Sequence, residues 1–430
     1  MMADRARRRL LAQLARLGAA GAALLAAPLT ACAADSATAG ASAARRPPAG
    51  APPSARCPWP LYQQFVARFV QADGRVLDPS TREQQSTSEG QSYGMVFALI
   101  ANDRLTFDRL WRWSVANLGG GNLTDKLPAW QWGRRNDGSW GVIDANPASD
   151  ADLWFAYALA EAARVWKVPA YGEAAHALLG LVAKQEVTTL PDFGTMLLPG
   201  PQGFVDGKPD GPRTYRLNAS YLPVPVLRRL ASFDRNGPWG ALATQTPKFI
   251  EAVAKQGIVP DWSGYRAGGD LVGFVTDPVK GDVSSYDAIR VYLWAGMTPS
   301  ADSASRTLMR ALLPNAQRME GRAAPPEKMH ADTGALEGNG PPGFSAALLP
   351  FLKAAGLPNL APALAAQRTR AEAMVDAPPG PAAPAYYDTV LGLFGLAHLE
   401  GRYSFSPSGQ LEMEWDQSAK REGACRGKTT

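Results

Sequence analysis

The fold is indicated most clearly by residues 86–95, STSEGQSYGM, which lead directly into the apolar run VFALI at residues 96–100. Ser88 is a good N-cap residue and Gln91 follows at capping-box spacing, so the pattern predicts a helix that begins here. Glu89 then falls in the first turn, open to solvent or to a ligand. A first-turn glutamate also has a simpler explanation, because it stabilises the positive end of the helix dipole by about 0.3–1 kcal/mol.

The same design recurs at residues 148–160, ASDADLWFAYALA. Ser149 is the expected N-cap, Asp150 lies in the first turn and Asp152 completes a near capping box. The small and apolar residues that follow predict a long helix.

A third acid precedes an apolar helix at residues 281–294, GDVSSYDAIRVYLW. Asp287 is expected to open this helix, with Ser284 and Ser285 as caps. Three carboxylates distant in the chain are thus predicted at three helix starts.

Helix is the dominant prediction for the rest of the body, because apolar residues recur at helical spacing. Further helices are predicted over residues 174–184, 241–256, 303–313, 343–355, 358–374 and 386–400. Residues 190–213 are predicted as a long loop, and the best strands form a hairpin over residues 403–415. About a dozen helices with loops of uneven length favour a closed ring of helical hairpins, in which the first turns of the inner helices gather around a cleft.

The N-terminal segment, residues 1–32, has an arginine-rich start, an apolar middle and small residues at its end, which predicts an export signal. Its last four residues, LTAC, resemble a lipoprotein box in which Cys32 is lipidated, and ordinary cleavage after a neighbouring alanine is the alternative. Residues 33–56 contain mainly Ala, Ser, Pro and Arg and predict a disordered linker. We therefore expect a periplasmic or extracellular protein, attached to a membrane only if Cys32 carries a lipid.

The folded body is almost neutral. The 430 residues carry a formal charge of +5, but residues 1–31 contain five arginines and one aspartate, which leaves +1 for the remainder. This balance argues against a nucleic-acid partner, which would need a basic face. The chain is 46% hydrophobic and can bury a large core, so we assign one folded domain to residues 57–416 and a tail to residues 417–430, and expect a monomer.

The three cysteines are Cys32, Cys57 and Cys425. If Cys32 is lipidated or removed, the other two remain in a compartment that permits disulfides, and whether they pair stays open. No Cys, His or carboxylate spacing resembles a metal site, so we expect no metal and no cofactor.

Hydrolysis of a glycosidic bond would use two of the three predicted acids. One carboxyl donates a proton to the leaving oxygen and another, ionised, activates water or attacks carbon. At Glu89 the helix dipole favours the ionised form. Burial and a negative neighbour such as Asp150 would have to raise its pKa for it to act as the acid.

Aromatic residues in loops supply a second line of evidence. Seven of them lie in Gly-, Pro-, Asn- or Asp-rich stretches: Trp130, Trp132, Trp140, Tyr221, Trp239, Trp262 and Tyr286. Their flat faces suit the sugars of a β-linked glucan. The alternative is that each covers an end of the core.

Three ordered segments, TSEGQSYGM at 87–95, ASDAD at 148–152 and SYDAIR at 285–290, resemble the signature blocks of glycoside hydrolase family 8. Within it they are similar to periplasmic endo-1,4-β-glucanases encoded with bacterial cellulose synthase. The resemblance extends from about Cys57 to the hairpin near Trp415. It implies an all-α (α/α)6 barrel with a small C-terminal β-hairpin, an inverting mechanism and no catalytic metal.

The resemblance also implies roles for individual residues. Glu89 matches the general acid, Asp287 the general base, Asp150 an aspartate that contacts the sugar at the cleavage point, and Arg290 an arginine that steadies the base. The further predicted substrate contacts are Tyr221, Arg216, Trp132, Trp140, Tyr286 and Asp152, although a capping role explains Asp152 equally well.

The expected partner is a β-1,4-glucan, trimmed or edited during cellulose synthesis and secretion, with the cellulose synthase complex as a further candidate partner. Two alternatives stay open. One is a hydrolase of the same family that acts on chitosan, xylan or mixed-linkage glucan. The other is a non-catalytic glucan-binding component of the secretion apparatus, against which the presence of both Glu89 and Asp287 argues.

Overall fold

The structure is a computed structural model that describes residues 58–207, 211–269, 271–378, 380 and 383–418. The predicted export signal and linker, the cysteines and most of the tail lie outside the described residues. The helices are α1 Pro60–Phe69, α2 Ser88–Ile100, α3 Arg104–Asn117, α4 Ser149–Trp166, α5 Pro169–Gln185, α6 Val224–Phe233, α7 Trp239–Val253, α8 Ile289–Met297, α9 Ser303–Gln317, α10 Pro342–Ala355, α11 Ala361–Val375, α12 Tyr386–Leu399 and α13 Glu414–Ser418.

Twelve of these helices form two concentric rings. The inner ring runs α2, α4, α6, α8, α10 and α12, each in contact with the next, and closes where Phe394 of α12 packs against Phe97 and Tyr93 of α2, with ring centroids 4.7 and 5.3 Å apart. Helices α3, α5, α7, α9, α11 and α1 pack outside this ring, each against one or two inner helices. The predicted (α/α)6 barrel is therefore confirmed.

The inner helices are apolar around most of their circumference because they are covered on both sides. A helix buried on all faces has no polar stripe, and α12 buries every residue from Asp388 to Ala397. Two glycines allow the inner helices to approach closely. A Cβ atom at Gly296 would collide with the backbone of Phe351, and one at Gly395 with the carbonyl of Ala346.

The interior of the ring is filled by aromatic side chains from four inner helices. Trp154, Trp294 and Phe394 contact one another with centroids 5.2–5.5 Å apart, and the Tyr93 ring lies edge-on to Phe394. These rings make the centre of the barrel a packed core. A cleft can therefore form only outside this core, and the starts of the inner helices are where we expect it.

Short strands decorate the loops. They are β1 Ser86–Thr87, β2 Gln131–Arg134, β3 Trp140–Asp144, β4 Val187–Leu190, β5 Gly194–Leu197, β6 Val205–Gly207, β7 Arg213–Leu217, β8 Ser263–Ala267, β9 Gly273–Thr276, β10 Val283–Ser284, β11 Lys328–His330, β12 Leu336–Glu337, β13 Tyr403–Phe405 and β14 Leu411–Met413. All pairings among them are antiparallel, and the largest sheet has the order β6-β7-β8-β9. The predicted long loop over residues 190–213 was wrong, because β5, β6 and the ends of β4 and β7 lie in it.

The predicted C-terminal hairpin is confirmed. Strands β13 and β14 pair in the register Tyr403↔Met413 and Phe405↔Leu411. Among the described residues, no helix combines the length and the hydropathy needed to cross a membrane.

Candidate active site

The three predicted acids lie where inner helices begin. Glu89 and Asp150 are in the first turns of α2 and α4, and Asp287 lies in the turn just before α8. The acids are close enough to affect one another. The charge of Asp287 raises the pKa of Glu89, and the charge of Glu89 raises the pKa of Asp150. The barrel therefore brings together carboxyls that are almost 200 residues apart in the chain.

The start of α2 differs from the predicted capping box. Thr87 is the N-cap, and its hydroxyl accepts a hydrogen bond from the Gly90 amide at 3.1 Å. The Gln91 side chain is buried instead of capping, and its amide donates to the Gly74 carbonyl and the Ser114 hydroxyl at 3.2 and 3.1 Å. Gln91 thus ties the segment before β1 to α3.

Glu89 has the property that a general acid needs. Burial of its carboxyl raises its pKa above the ordinary value, although hydrogen bonds and the charge of Arg290 act in the opposite direction. One of these bonds comes from the Ser88 hydroxyl, 3.1 Å from Oε2. Desolvation therefore outweighs the hydrogen bonds and the charge that favour the ionised form.

Asp150 is almost completely buried, with 1% of its surface exposed. Oδ2 accepts a hydrogen bond from the Tyr93 hydroxyl at 3.3 Å, and Oδ1 has no donor in the described part of the chain. Burial, then the charge of Glu89, raises the pKa of Asp150 to about 8. The Tyr221 side chain lies close to the three acids. Burial and the charges of Asp150, Asp287 and Glu89 raise the pKa of its phenol.

Asp152 is buried deeper than the three acids, and its role as a substrate contact stays a prediction. Its exposed fraction is zero, and it lies against Glu186, the fully buried residue that follows α5. Burial raises the pKa of both groups. Within the described residues none of the four carboxyl oxygens has a hydrogen-bond partner, so nothing offsets the cost of burying a charge and the protonated forms are favoured. The predicted Ser149 cap was wrong, because the N-cap of α4 is Ala148 and no side chain caps it.

Asp287 is held by two donors. The Arg290 guanidinium donates to Oδ1 at 3.0 Å and the Trp262 indole donates to Oδ2 at 3.1 Å. Arg290 also donates to the Ser220 hydroxyl at 2.9 Å and to the Tyr387 hydroxyl at 3.3 Å, so its own position is fixed from several sides. Roughly a third of the Asp287 side chain, 31%, stays exposed and can meet a water molecule.

The turn that carries Asp287 depends on a residue that the sequence analysis missed. The Asp261 carboxylate accepts hydrogen bonds from the amides of Ser285 and Ala288 at 2.7 and 2.8 Å. Burial, then the charge of Asp287, raises the pKa of Asp261 to about 6. The prediction that Ser284 and Ser285 cap the helix was wrong, because Asp261 takes that role from the segment before β8.

An aromatic surface lies next to the start of α2. Trp132 and Trp140 stack with ring centroids 5.6 Å apart at 22°, and the Arg75 guanidinium lies over both rings. Trp132 pairs in register with Ser86, two residues before α2. Trp140 is 46% exposed, so one large ring is available to a ligand.

The other predicted contacts occupy different environments. Tyr286 is 42% exposed beside the base, and its hydroxyl donates to Glu327 at 3.1 Å. Arg216 is only 8% exposed and forms a bidentate pair with Asp277. Trp239 is fully buried and donates to Asp234 at 2.8 Å, so it belongs to the core and not to the aromatic surface.

Within the described ranges, no group of three or more His, Cys, Asp or Glu side chains could hold a metal ion. The groups that the three helix starts bring together are carboxyls, an arginine and tyrosine hydroxyls. Paired carboxyls, one of them buried enough to keep a proton, beside an exposed aromatic surface are typical of glycoside hydrolases.

The comparison with known proteins confirms this class and the predicted family. The model of glycosyl hydrolases family 8 matches residues 50–401, and the chain belongs to that family. An endoglucanase of Xanthomonas axonopodis pv. citri is 45% identical over 379 residues, which cover 88% of this chain and 94% of that protein.

Solved structures agree. The crystal structure of an endo-1,4-D-glucanase from Vibrio fischeri has a TM-score of 0.76 at 36% identity, and the match covers 84% of this chain and all of that one. An endo-β-1,4-glucanase from Acetobacter xylinum has a TM-score of 0.63 at 27% identity, with 79% and 98% of the two chains covered.

Proposed function

We propose that this family 8 enzyme is an endo-acting β-1,4-glucanase that hydrolyses its substrate with inversion. The observation that carries the proposal is the meeting of Glu89, Asp150 and Asp287 at one rim of the barrel, with Arg290 bonded to Asp287. The relatives that match most of the chain are endoglucanases, which supports a glucan as the substrate.

Glu89 is the proposed general acid. Its raised pKa keeps the carboxyl protonated at a pH where an exposed glutamate would be ionised. In the reaction the bond between the anomeric carbon and the leaving oxygen breaks while the Glu89 proton moves to that oxygen. Proton transfer of this kind is worth about 10²–10⁴-fold in rate.

Asp287 is the proposed general base. Arg290 and the Trp262 indole each donate to one of its oxygens, which orients the carboxylate while part of it stays exposed. A water on the opposite face of the sugar attacks the anomeric carbon and gives its proton to Asp287. Inversion requires room for this water, so the carboxyls of Glu89 and Asp287 should stand about 6.5–9.5 Å apart.

Asp150 and Tyr221 are the proposed contacts for the sugar at the cleavage point. Asp150 keeps a proton to about pH 8, so below that pH it can donate a hydrogen bond to a sugar hydroxyl as well as accept one. Trp140, supported by Trp132, offers a flat apolar face for a more distant sugar ring.

The test is the release of reducing ends from carboxymethyl cellulose, measured beside chitosan, xylan and mixed-linkage glucan. We expect the cellulose derivative to be cleaved fastest, with a rapid fall in viscosity that marks internal cuts. Faster cleavage of another polymer would change the substrate class. No cleavage of any of them would favour the non-catalytic alternative.

The same assay tests the two principal residues. Glu89→Gln and Asp287→Asn should each lower kcat by at least about 10²-fold while the variant still binds cello-oligosaccharide, because both substitutions preserve shape. Activity within tenfold of the parent in either variant would contradict the assigned role.

We further propose that the enzyme is exported as a monomer to the periplasm or beyond and edits cellulose during its synthesis. The sequence of residues 1–32 supports export, and the family 8 motifs support the substrate. Mass spectrometry of the mature N-terminus would show whether Cys32 carries a lipid, and co-purification would test contact with the cellulose synthase complex.

A further inference from the structure

The indole of Trp262 contacts the base through its edge and is covered over its face. Its N–H donates to Asp287 Oδ2 at 3.1 Å. The Phe204 ring stacks on it almost in parallel, at 5.8 Å and 8°, and the Arg216 guanidinium carbon lies 5.1 Å from the ring centre. Only 8% of Trp262 is exposed, so little of its ring is open to a sugar.

Arg216 is itself locked in place. Its Nε and Nη2 donate to the two oxygens of Asp277 at 2.7 and 3.1 Å, and the Asp277 side chain has no exposed surface. Asp277 Oδ1 also accepts from the amides of Val279 and Lys280, at 2.9 and 2.6 Å. Turning Arg216 towards a sugar would break a buried bidentate ion pair, which is costly.

We propose that Asp277, Arg216 and Trp262 form a positioning relay for Asp287, so that Arg216 acts through Trp262 and not on the substrate. The relay rests on the proposed role of Asp287 as the base. Asp277 fixes the guanidinium, the guanidinium holds the indole by a cation–π contact, and the indole N–H fixes Oδ2 of the base.

The relay matters because an inverting base must direct one lone pair at a single water. Arg290 alone donates to Oδ1 and would leave the carboxylate free to rotate about its last bond. The second donor removes that freedom, and such positioning is worth orders of magnitude in rate. A cation over the indole face also polarises its N–H towards the carboxylate.

The kinetic test separates positioning from binding. Trp262→Phe keeps a ring but removes the N–H, and Arg216→Met keeps length but removes the charge. We expect kcat to fall about 10- to 100-fold in the first variant, since one hydrogen bond to a charged group is lost. In the second we expect a fall of about tenfold. The KM for cello-oligosaccharide should change less than threefold in both.

Two matched controls are present in the chain. Trp239→Phe removes another indole-to-carboxylate bond, of 2.8 Å to Asp234. Arg228→Met removes another bidentate pair, with Nε and Nη2 at 2.8 and 3.0 Å from Asp302. Neither pair includes Glu89, Asp150 or Asp287. The kcat of each control should therefore stay within twofold of the parent when it is measured below the melting temperature of the variant.

A spectroscopic readout makes the test independent of activity. In ¹⁵N-labelled protein the Trp262 indole resonance is identified by its loss in Trp262→Phe. It should shift in Asp287→Asn and in Arg216→Met, but not in Arg228→Met. If Trp262→Phe fails to fold, the indole resonance is assigned in the parent protein by sequential NMR assignment, and its shift in Arg216→Met then carries the test.

The relay is overturned if Arg216→Met leaves the indole resonance and kcat unchanged, or if it raises KM with kcat intact, which would make Arg216 a sugar contact. An active Asp287→Asn enzyme would instead contradict the proposed function. The shift of the Trp262 indole resonance in Arg216→Met would still report whether Arg216 contacts Trp262.

Discussion

Helix α4 buries carboxyl groups at both of its ends, and the two ends surround them with different partners. Near the C-terminal end, Glu161 has no exposed surface and accepts hydrogen bonds from the Arg229 and Arg164 guanidiniums and, at 2.8 Å, from the Leu411 amide. At the N-terminal end, Asp150 Oδ2 accepts a hydrogen bond from the Tyr93 hydroxyl at 3.3 Å, and within the described part of the chain Oδ1 has no hydrogen-bond partner.

The difference separates a structural carboxylate from a functional one. A buried charge is tolerated when it is paired and fully hydrogen-bonded, as Glu161 is, and there it fastens α6 and the C-terminal hairpin to α4. Asp150 lacks such partners and keeps its proton, with a pKa of about 8. Unpaired, proton-retaining acids in a cleft are typical of active sites.

Breaking the structural end should have the largest effect on stability. Glu161→Gln leaves two arginines without their buried counter-charge, so we expect the free energy of unfolding at pH 7 to fall by about 3–5 kcal/mol. Urea denaturation measures this, and kcat per folded molecule should be unchanged. The matched control is Glu251→Gln, which breaks the exposed pair with Arg310 and should cost less than about 1 kcal/mol. A similar small loss in both variants would contradict the distinction.

A substitution at Asp150, the functional end of α4, should lower activity without lowering stability, the opposite of Glu161→Gln. Asp150→Asn keeps the shape of the side chain but loses its proton exchange and one acceptor, and we expect kcat to fall about 10²-fold. The free energy of unfolding at pH 8 should stay equal or rise, because the variant no longer buries an ionisable group. A destabilised but fully active Asp150→Asn enzyme would show that Asp150, like Glu161, has a structural role and no catalytic one.

The functional end should also make stability depend on pH. Asp150, Asp152 and Glu186 have raised pKa values, so the folded state keeps protons that the unfolded chain releases above about pH 4. Their contribution is therefore greatest at acidic pH and is lost as the pH rises towards the folded values. Each retained proton lowers the free energy of unfolding by about 1.4 kcal/mol per pH unit.

Urea denaturation between pH 5 and 8 measures this slope. Asp152→Asn should reduce it, since the variant lacks one of the buried carboxyls that retain a proton. Stability that rises with pH over this range in the parent would mean that the buried acids are ionised.

The smallest effect is expected at the aromatic surface. Trp140→Ala should raise KM for long cello-oligosaccharides about three- to tenfold with kcat within twofold, since one stacking contact is lost. Leu105→Ala removes another large exposed apolar side chain, 78% exposed, and should change neither constant. An unchanged KM in Trp140→Ala would remove Trp140 from the substrate site.

Local patterns predicted most of the fold. The apolar periodicity over residues 386–400 matches helix Tyr386–Leu399 almost to the residue, because an inner helix is long and apolar. Strands of two to five residues, such as β5 and β6, have too little alternation to be seen. Gln91 was taken for a cap because the sequence does not show that its amide meets backbone groups from two other segments.

The candidate site was predictable only in part. The acids follow a visible local design, and the family motifs fixed their roles as expectations. Asp261, Trp262 and Glu186 act on those acids from segments far away in the chain, and a single sequence has no signal for such pairs. The sequence feature that comes closest to indicating them is a charged residue next to an aromatic one in a loop, as at residues 261–262.

The most direct test of the account is the anomeric configuration of the first product. Proton NMR during cleavage of cellohexaose by a high concentration of enzyme reports the new reducing end before mutarotation. If Glu89 donates the proton and Asp287 activates a water across the sugar, the α-anomer appears first and the β-anomer follows slowly. Initial release of the β-anomer would mean retention, and would contradict a water held between the base and the anomeric carbon.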